Sequence, residues 1–203
     1  MSRVRTRPTR DDTREKLFEA AARVFEDQGI GGASIEAIAA AAGFTRGAFY
    51  SNFKSKDELI IAMLEDHVEQ SVARIRDLLE RHKNLADFIE ALKTMGRSQQ
   101  DPLGRSPLLH MEMILFVARA EKRRPELAQR LRARRKLVAD IIETTAKNSG
   151  RTTILDPAWA GALVLALEDG FRLHRLIDPE TTSPGSFFRA IGDLQRTMGI
   201  PSN

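Results

Sequence analysis

Residues 34–56 read SIEAIAAAAGFTRGAFYSNFKSK, and the spacing predicts two short helices that meet at Gly43. Ser34 suits an N-cap, because its side-chain oxygen can take a backbone N–H that the first turn leaves open. Ile35, Ile38, Ala39 and Ala42 then recur at helical spacing and face inward. Gly43 can adopt the left-handed backbone that a sharp turn requires. Thr45 caps a second helix, on which Arg46 and Tyr50 stand four apart and share a face. Phe44, Phe49 and Phe53 supply an apolar side to the same segment. Two helices so arranged have the layout of a helix-turn-helix, where one lies across a duplex and the next enters the major groove.

The flanks extend this pattern. Thr9 with Asp12 three residues on resembles an N-cap, and Leu17, Ala21, Val24 and Phe25 give an apolar face until the break at Gly29, Gly31 and Gly32. Ser55 and Glu58 read as a capping box that opens a long helix, with Ile60, Met63, Leu64, Val68, Val72, Ile75 and Leu79 on its stripe. A helix is expected over 84–98, with Leu85, Phe88, Ile89, Leu92 and Met95 inward, and the segment to Pro107 reads as a loop. Helices follow at about 107–121, 125–148, 157–176 and 184–198, three of them with Pro125, Pro157 or Pro184 in the first turn. The expectation is an all-α chain of about nine helices. No repeat at a period of 20–50 residues is evident, which argues against a solenoid.

Composition narrows the chemistry. The 203 residues contain no cysteine, so disulfides, thiolate nucleophiles and Cys-based zinc sites are excluded together. The four histidines, His67, His82, His110 and His174, show no metal spacing, and His67 and His82 are expected on the solvated side of one helix. The glycines before Ser34 superficially resemble a dinucleotide loop, but a helix rather than a strand precedes them. No Walker loop or nucleophile elbow is present, so neither an enzyme nor a cofactor is expected. No apolar stretch reaches the roughly 18–20 residues of a membrane span. The N-terminal arginines lack the apolar core of a secretory signal, and a cytoplasmic location is expected.

The net charge of +4 is unevenly spread: residues 1–56 hold ten Lys/Arg against seven Asp/Glu, and the first ten hold four arginines and no acid. Such an arm beside a helix-turn-helix suits phosphate attraction, although a solvated tail would look the same. Residues 121–136 hold eight basic and two acidic residues. They read as the wet face of a helix whose stripe is Leu127, Leu131, Leu137 and Val138.

Residues 14–64 resemble the DNA-binding half of the tetracycline-repressor (TetR) family. The likeness runs through Leu17, Ala21, Phe25 and Gly29, then Ser34, Ile35, Ile38, Ala39 and Gly43, then Thr45, Arg46, Gly47, Phe49, Tyr50, Phe53, Lys56 and Leu59. It implies backbone contacts to DNA near Ser34, Tyr50, Ser51 and Lys56, and base contacts near Thr45, Arg46, Gly47 and Tyr50. The chemistry agrees: Arg can donate twice to guanine O6 and N7, and Tyr can meet a thymine methyl or a phosphate. Gly47 lets the helix backbone approach closely. Glu36 departs from the pattern, since an acid cannot pair with phosphate; either it accepts from a cytosine N4 or it points to solvent.

The same resemblance implies a helix-turn-helix domain over 1–56 and a regulatory domain over 57–203, which dimerises through its last two helices. Ala158, Ala162 and Ala166 form a small-residue row that permits close packing, and Phe187, Ile191 and Leu194 recur at helical spacing. The implied regulator is a homodimer on a palindromic double-stranded DNA operator, most simply a repressor, released by a small apolar or amphipathic effector. Met95, His110, Met113, Phe116, Trp159, Leu163 and Leu167 are candidates to line the effector pocket. Glu168 and Arg172 could orient a polar ligand group or form a plain i,i+4 surface pair. The rival class is a helical dimeric adaptor without sequence-specific DNA binding.

Overall fold

The computed structural model describes residues 9–82, 87–88, 90–91, 106–122, 124–148, 155–183 and 185–197, without the side chains of 126, 127, 145, 148 and 194–197. These residues form eight helices and no strand: α1 Arg10–Gly32, α2 Ile35–Ala41, α3 Arg46–Tyr50, α4 Lys56–Arg81, α5 Pro107–Arg119, α6 Arg124–Asn148, α7 Pro157–Ile177 and α8 Ser186–Thr197. Most of the helix expected over 84–98, and most of the loop after it, lies outside the described residues; Phe88 is described and buried. The chain divides into two compact units, Met1–His67 with Ser98–Arg124, and Val68–Arg97 with Pro125–Asn203. The division therefore falls inside α4.

In the first unit the local signals act as written. The Asp12 N–H donates to Thr9 Oγ1 at 3.1 Å and the Thr9 N–H donates back to Asp12 Oδ2 at 2.9 Å, closing a capping box. Hydrogen bonding from the Thr9 backbone, and then from its side chain, holds the Asp12 carboxyl below its ordinary range. Gly29 leaves helical geometry at φ 70°, which breaks α1 where the glycines begin. Leu17, Phe25, Ile38, Phe49, Phe53, Leu59 and Ile60 are fully buried. Phe53 lies 5.8 Å from both Phe18 and Phe49, and the Arg14 guanidinium covers Phe53 at 5.1 Å. This aromatic cluster ties α1 to the segment after α3.

The expected solvated side of α4 is not wholly solvated in this unit. His67 is buried rather than solvated, with its ring 4.5 Å from the buried ring of His110 on α5. Helical periodicity puts His67 a turn beyond Met63 and Leu64, which are buried as well, so the apolar face of α4 continues through it.

The second unit contains a close helix approach. At Gly161 of α7 a Cβ would come within 2.7 Å of the Arg135 carbonyl oxygen and 3.1 Å of the Ala139 nitrogen on α6. Leu165 and Ala139 are buried at this crossing. One turn further, Glu168 takes Arg134 of α6 at 2.9 Å and Arg172 of its own helix at 2.6 Å. Glu168–Arg172 is thus half of a part-buried bridge between helices rather than a plain surface pair. Beside it, burial pushes the Asp169 carboxyl up, and its Oδ1 has no hydrogen-bond partner among the described residues. The 121–136 stretch is wet in its described part, but Leu131 is exposed too, so the expected stripe is incomplete. Among the described residues no helix is long and apolar enough to cross a membrane.

Candidate nucleic-acid interface

The interface is built by a turn whose backbone closes on itself. Gly43 takes φ 75°, its N–H donates to the Ala40 carbonyl at 3.0 Å, and the Phe44 N–H donates to the Ala39 carbonyl at 2.9 Å. That pair of bonds ends α2 in a Schellman motif and redirects the chain. Ser34 Oγ accepts the Ala37 N–H at 3.0 Å and Thr45 Oγ1 accepts the Ala48 N–H at 3.2 Å, so both expected N-caps are in place. Each of these exposed hydroxyls keeps its own O–H to donate outward.

Phe49 is completely buried while Arg46 and Tyr50 face solvent, Tyr50 at 44% exposure. The Arg46 guanidinium lies between two partners. Its Nη1 is 2.8 Å from Glu36 Oε1 on α2, and its Nη2 donates to Tyr50 Oη at 3.3 Å. The guanidinium carbon also sits 5.4 Å from the Tyr50 ring centre. The bond to Tyr50, and then the charge of Glu36, push the Arg46 guanidinium further up in pKa. Gly47 is exposed, and a Cβ there would meet only Thr45 Oγ1, at an ordinary 3.7 Å. Among the described residues nothing demands glycine at that position.

Two further DNA-contact candidates spend their donors inside the fold. Lys56 Nζ donates to the Ile30 carbonyl at 2.7 Å and the Ala33 carbonyl at 2.8 Å, closing the end of α1 with a cation. Two of its three donors are therefore committed inside the fold. The Ser51 hydroxyl donates to the Gly47 carbonyl at 3.0 Å. Sequence reading missed the Lys56 role because its carbonyl partners lie 23 and 26 residues away. The Glu36–Arg46 pair was equally out of reach, since a turn rather than a helical period joins the two.

The other candidates fall in different places. His110 and Met113 are buried and Phe116 is half-buried, all in the first unit. Leu163 and Leu167 are half-buried in the second unit, where Trp159 is 62% exposed. Ala158 and Ala166 are exposed, and Ala162, Phe187 and Ile191 are half-buried. Met95 and the Leu194 side chain lie outside the described residues.

Residues 17–63 match the family model described as bacterial regulatory proteins, tetR family. The chain is 28% identical over 204 residues to the HTH-type transcriptional regulator TtgR of Pseudomonas putida, an alignment covering 98% of this chain and 86% of that protein. Its fold is that of a TetR-family transcriptional regulator from Cytophaga hutchinsonii, at a TM-score of 0.72 and 18% identity over 95% of this chain and 98% of the other. It is similar in fold also to the regulator FadR of Bacillus subtilis, solved with stearoyl-CoA, at a TM-score of 0.64 and 15% identity over 88% and 95% of the two chains. Regulators of this kind are non-enzymatic DNA-binding proteins, which answers the enzyme reading. With the outward Arg46–Tyr50 face on a closed helix-turn-helix core and a family match over that same core, residues 17–63 form a DNA-binding module of the tetR family of bacterial regulatory proteins.

Proposed function

We propose that the protein is a repressor that binds a palindromic DNA operator as a homodimer and leaves it when a small apolar or amphipathic effector binds. Residues 1–56 read the DNA, and residues 57–203 sense the effector and dimerise. The observation that carries this reading is the outward pair Arg46–Tyr50 above a fully buried Phe49, with Arg46 held 2.8 Å from Glu36 and 3.3 Å from Tyr50 itself. Arg46 takes guanine O6 and N7, Tyr50 meets a thymine methyl or a phosphate, and Ser34 and Thr45 donate to phosphate oxygens. Gly47 supports close approach, because no neighbour among the described residues accounts for its missing side chain.

Dimerisation has its support on α7. Trp159, Ala162, Ala166, Leu173 and Ile177 fall along one side of that helix, and Trp159 and Ile177 are 62% and 76% exposed. An apolar stripe of that length on a helix surface marks an association site. A two-fold dimer presents two α3 helices to major grooves about 34–36 Å apart, which demands a palindrome. An apolar or amphipathic effector is supported by the buried Met113 and half-buried Phe116 of the first unit, and by the stearoyl-CoA bound to the FadR regulator of similar fold. The effector weakens DNA binding by as much as it prefers the non-binding arrangement, about 1–3 kcal/mol in typical cases.

Selection of bound sequences from a random duplex pool tests the reading. The expected product is a palindrome whose binding falls steeply with added salt. Enrichment of no motif, with weak binding to all duplexes, would favour the helical adaptor instead. Ala166→Arg should give a monomer by sedimentation and lose the palindrome.

A further inference from the structure

An acidic side chain on a surface that meets a polyanion needs a physical reason. Glu36 occupies the first turn of α2, and its carboxylate reaches across the turn to Arg46 at 2.8 Å. Both side chains remain more than half exposed, so the pair adds little to folding stability. Arginine has five N–H donors; one serves Glu36 and one serves Tyr50, which leaves three. The guanidinium can therefore enter the groove without releasing either support, and the Glu36 carboxylate enters beside it.

A carboxylate there has acceptor sites to spare and no donor ability. Phosphate oxygens, guanine O6 and N7, and thymine O4 all repel it. In the major groove the donors are the amino groups of cytosine and adenine; the cytosine N4 has an acceptor on one side only, its paired guanine O6, whereas the adenine N6 lies between two, its own N7 and the thymine O4, so a carboxylate favours cytosine. Resting on the DNA-reading function proposed above, we infer that Glu36 is a specificity-determining residue: its carboxylate accepts from a cytosine N4 at a base pair neighbouring the guanine taken by Arg46.

The test is selection from a random duplex pool with the full chain and with Glu36→Ala, Glu36→Gln and Arg46→Ala. Arg46→Ala identifies the guanine pair. Glu36→Ala should lose about tenfold or more of its discrimination at one neighbouring pair in each half-site, while its affinity for unrelated duplex rises as the repulsive charge goes. Glu36→Gln should move that preference from cytosine to adenine, whose N6 and N7 match an amide. Thermal unfolding should leave the exposed-site variants folded like the parent. Matrices for the parent and Glu36→Ala that coincide at every position would overturn the inference and leave the regulator reading intact. Loss at the Arg46 guanine alone would also overturn it, reducing Glu36 to a positioning residue. A parent chain that enriches no motif would defeat both readings.

Discussion

Helix α3 turns Arg46 and Tyr50 outward over a closed aromatic core, whereas α7 turns Trp159, Leu173 and Ile177 outward and leaves them exposed. In the first case the outward groups are polar and already bonded to one another, so solvent satisfies what remains. In the second they are apolar, and each exposed Å² forgoes about 25 cal/mol of burial. The difference teaches what each surface lacks. The α3 face is complete as a fold and lacks only a polar ligand; the α7 face is incomplete as a hydrophobic surface.

The comparison can be broken first at its core. Phe49→Ala should cost about 3–5 kcal/mol by denaturant unfolding, because it empties the support beneath Arg46 and Tyr50. A small loss would mean that the α3 face does not depend on that core. Next, Lys56→Met should lower stability by about 2–3 kcal/mol, since two carbonyls lose a charged donor. Unchanged stability with weakened DNA binding would instead return Lys56 to the phosphates.

The other side of the comparison is sharpened at Gly161. Gly161→Ala should cost about 1–3 kcal/mol despite alanine's better helix propensity, because the new Cβ meets backbone on α6 rather than a side chain that could move. A thermal midpoint equal to the parent's would show that α6 and α7 can separate freely. The smallest effect concerns Asp169. Burial raises its folded pKa above the ordinary 3.8, so the folded chain holds the proton more tightly than the unfolded one. Stability therefore falls as pH climbs from about that ordinary value through the raised one, and the cost persists above it. Asp169→Asn should stabilise at pH 7.5 by less than about 1 kcal/mol after solvent screening, and the gain should vanish toward pH 4. A gain independent of pH would point to packing instead.

Much of the interface was legible because its signals are local. Ser34, Gly43 and Thr45 each act on backbone groups within four residues, and Arg46, Phe49 and Tyr50 are sorted by a single helical turn. The Thr9 box was legible for the same reason. The Ser55 box was legible in part: the Glu58 N–H does donate to Ser55 Oγ at 3.1 Å, but the Glu58 carboxylate accepts from the Lys54 N–H rather than that of Ser55. His67 misled because histidine is as often solvated as buried, and only the neighbouring helix distinguishes the two.

Sequence alone determined the all-helical class, the helix boundaries near caps and glycines, and the outward placement of Arg46 and Tyr50, since those follow from period and capping within one segment. Tertiary structure decided that Glu36 holds Arg46, that Lys56 closes α1, that His67 meets His110 and that Glu168 bridges α6 and α7. Each of these joins residues from separate elements, and a one-dimensional pattern carries no term for the distance between two helices.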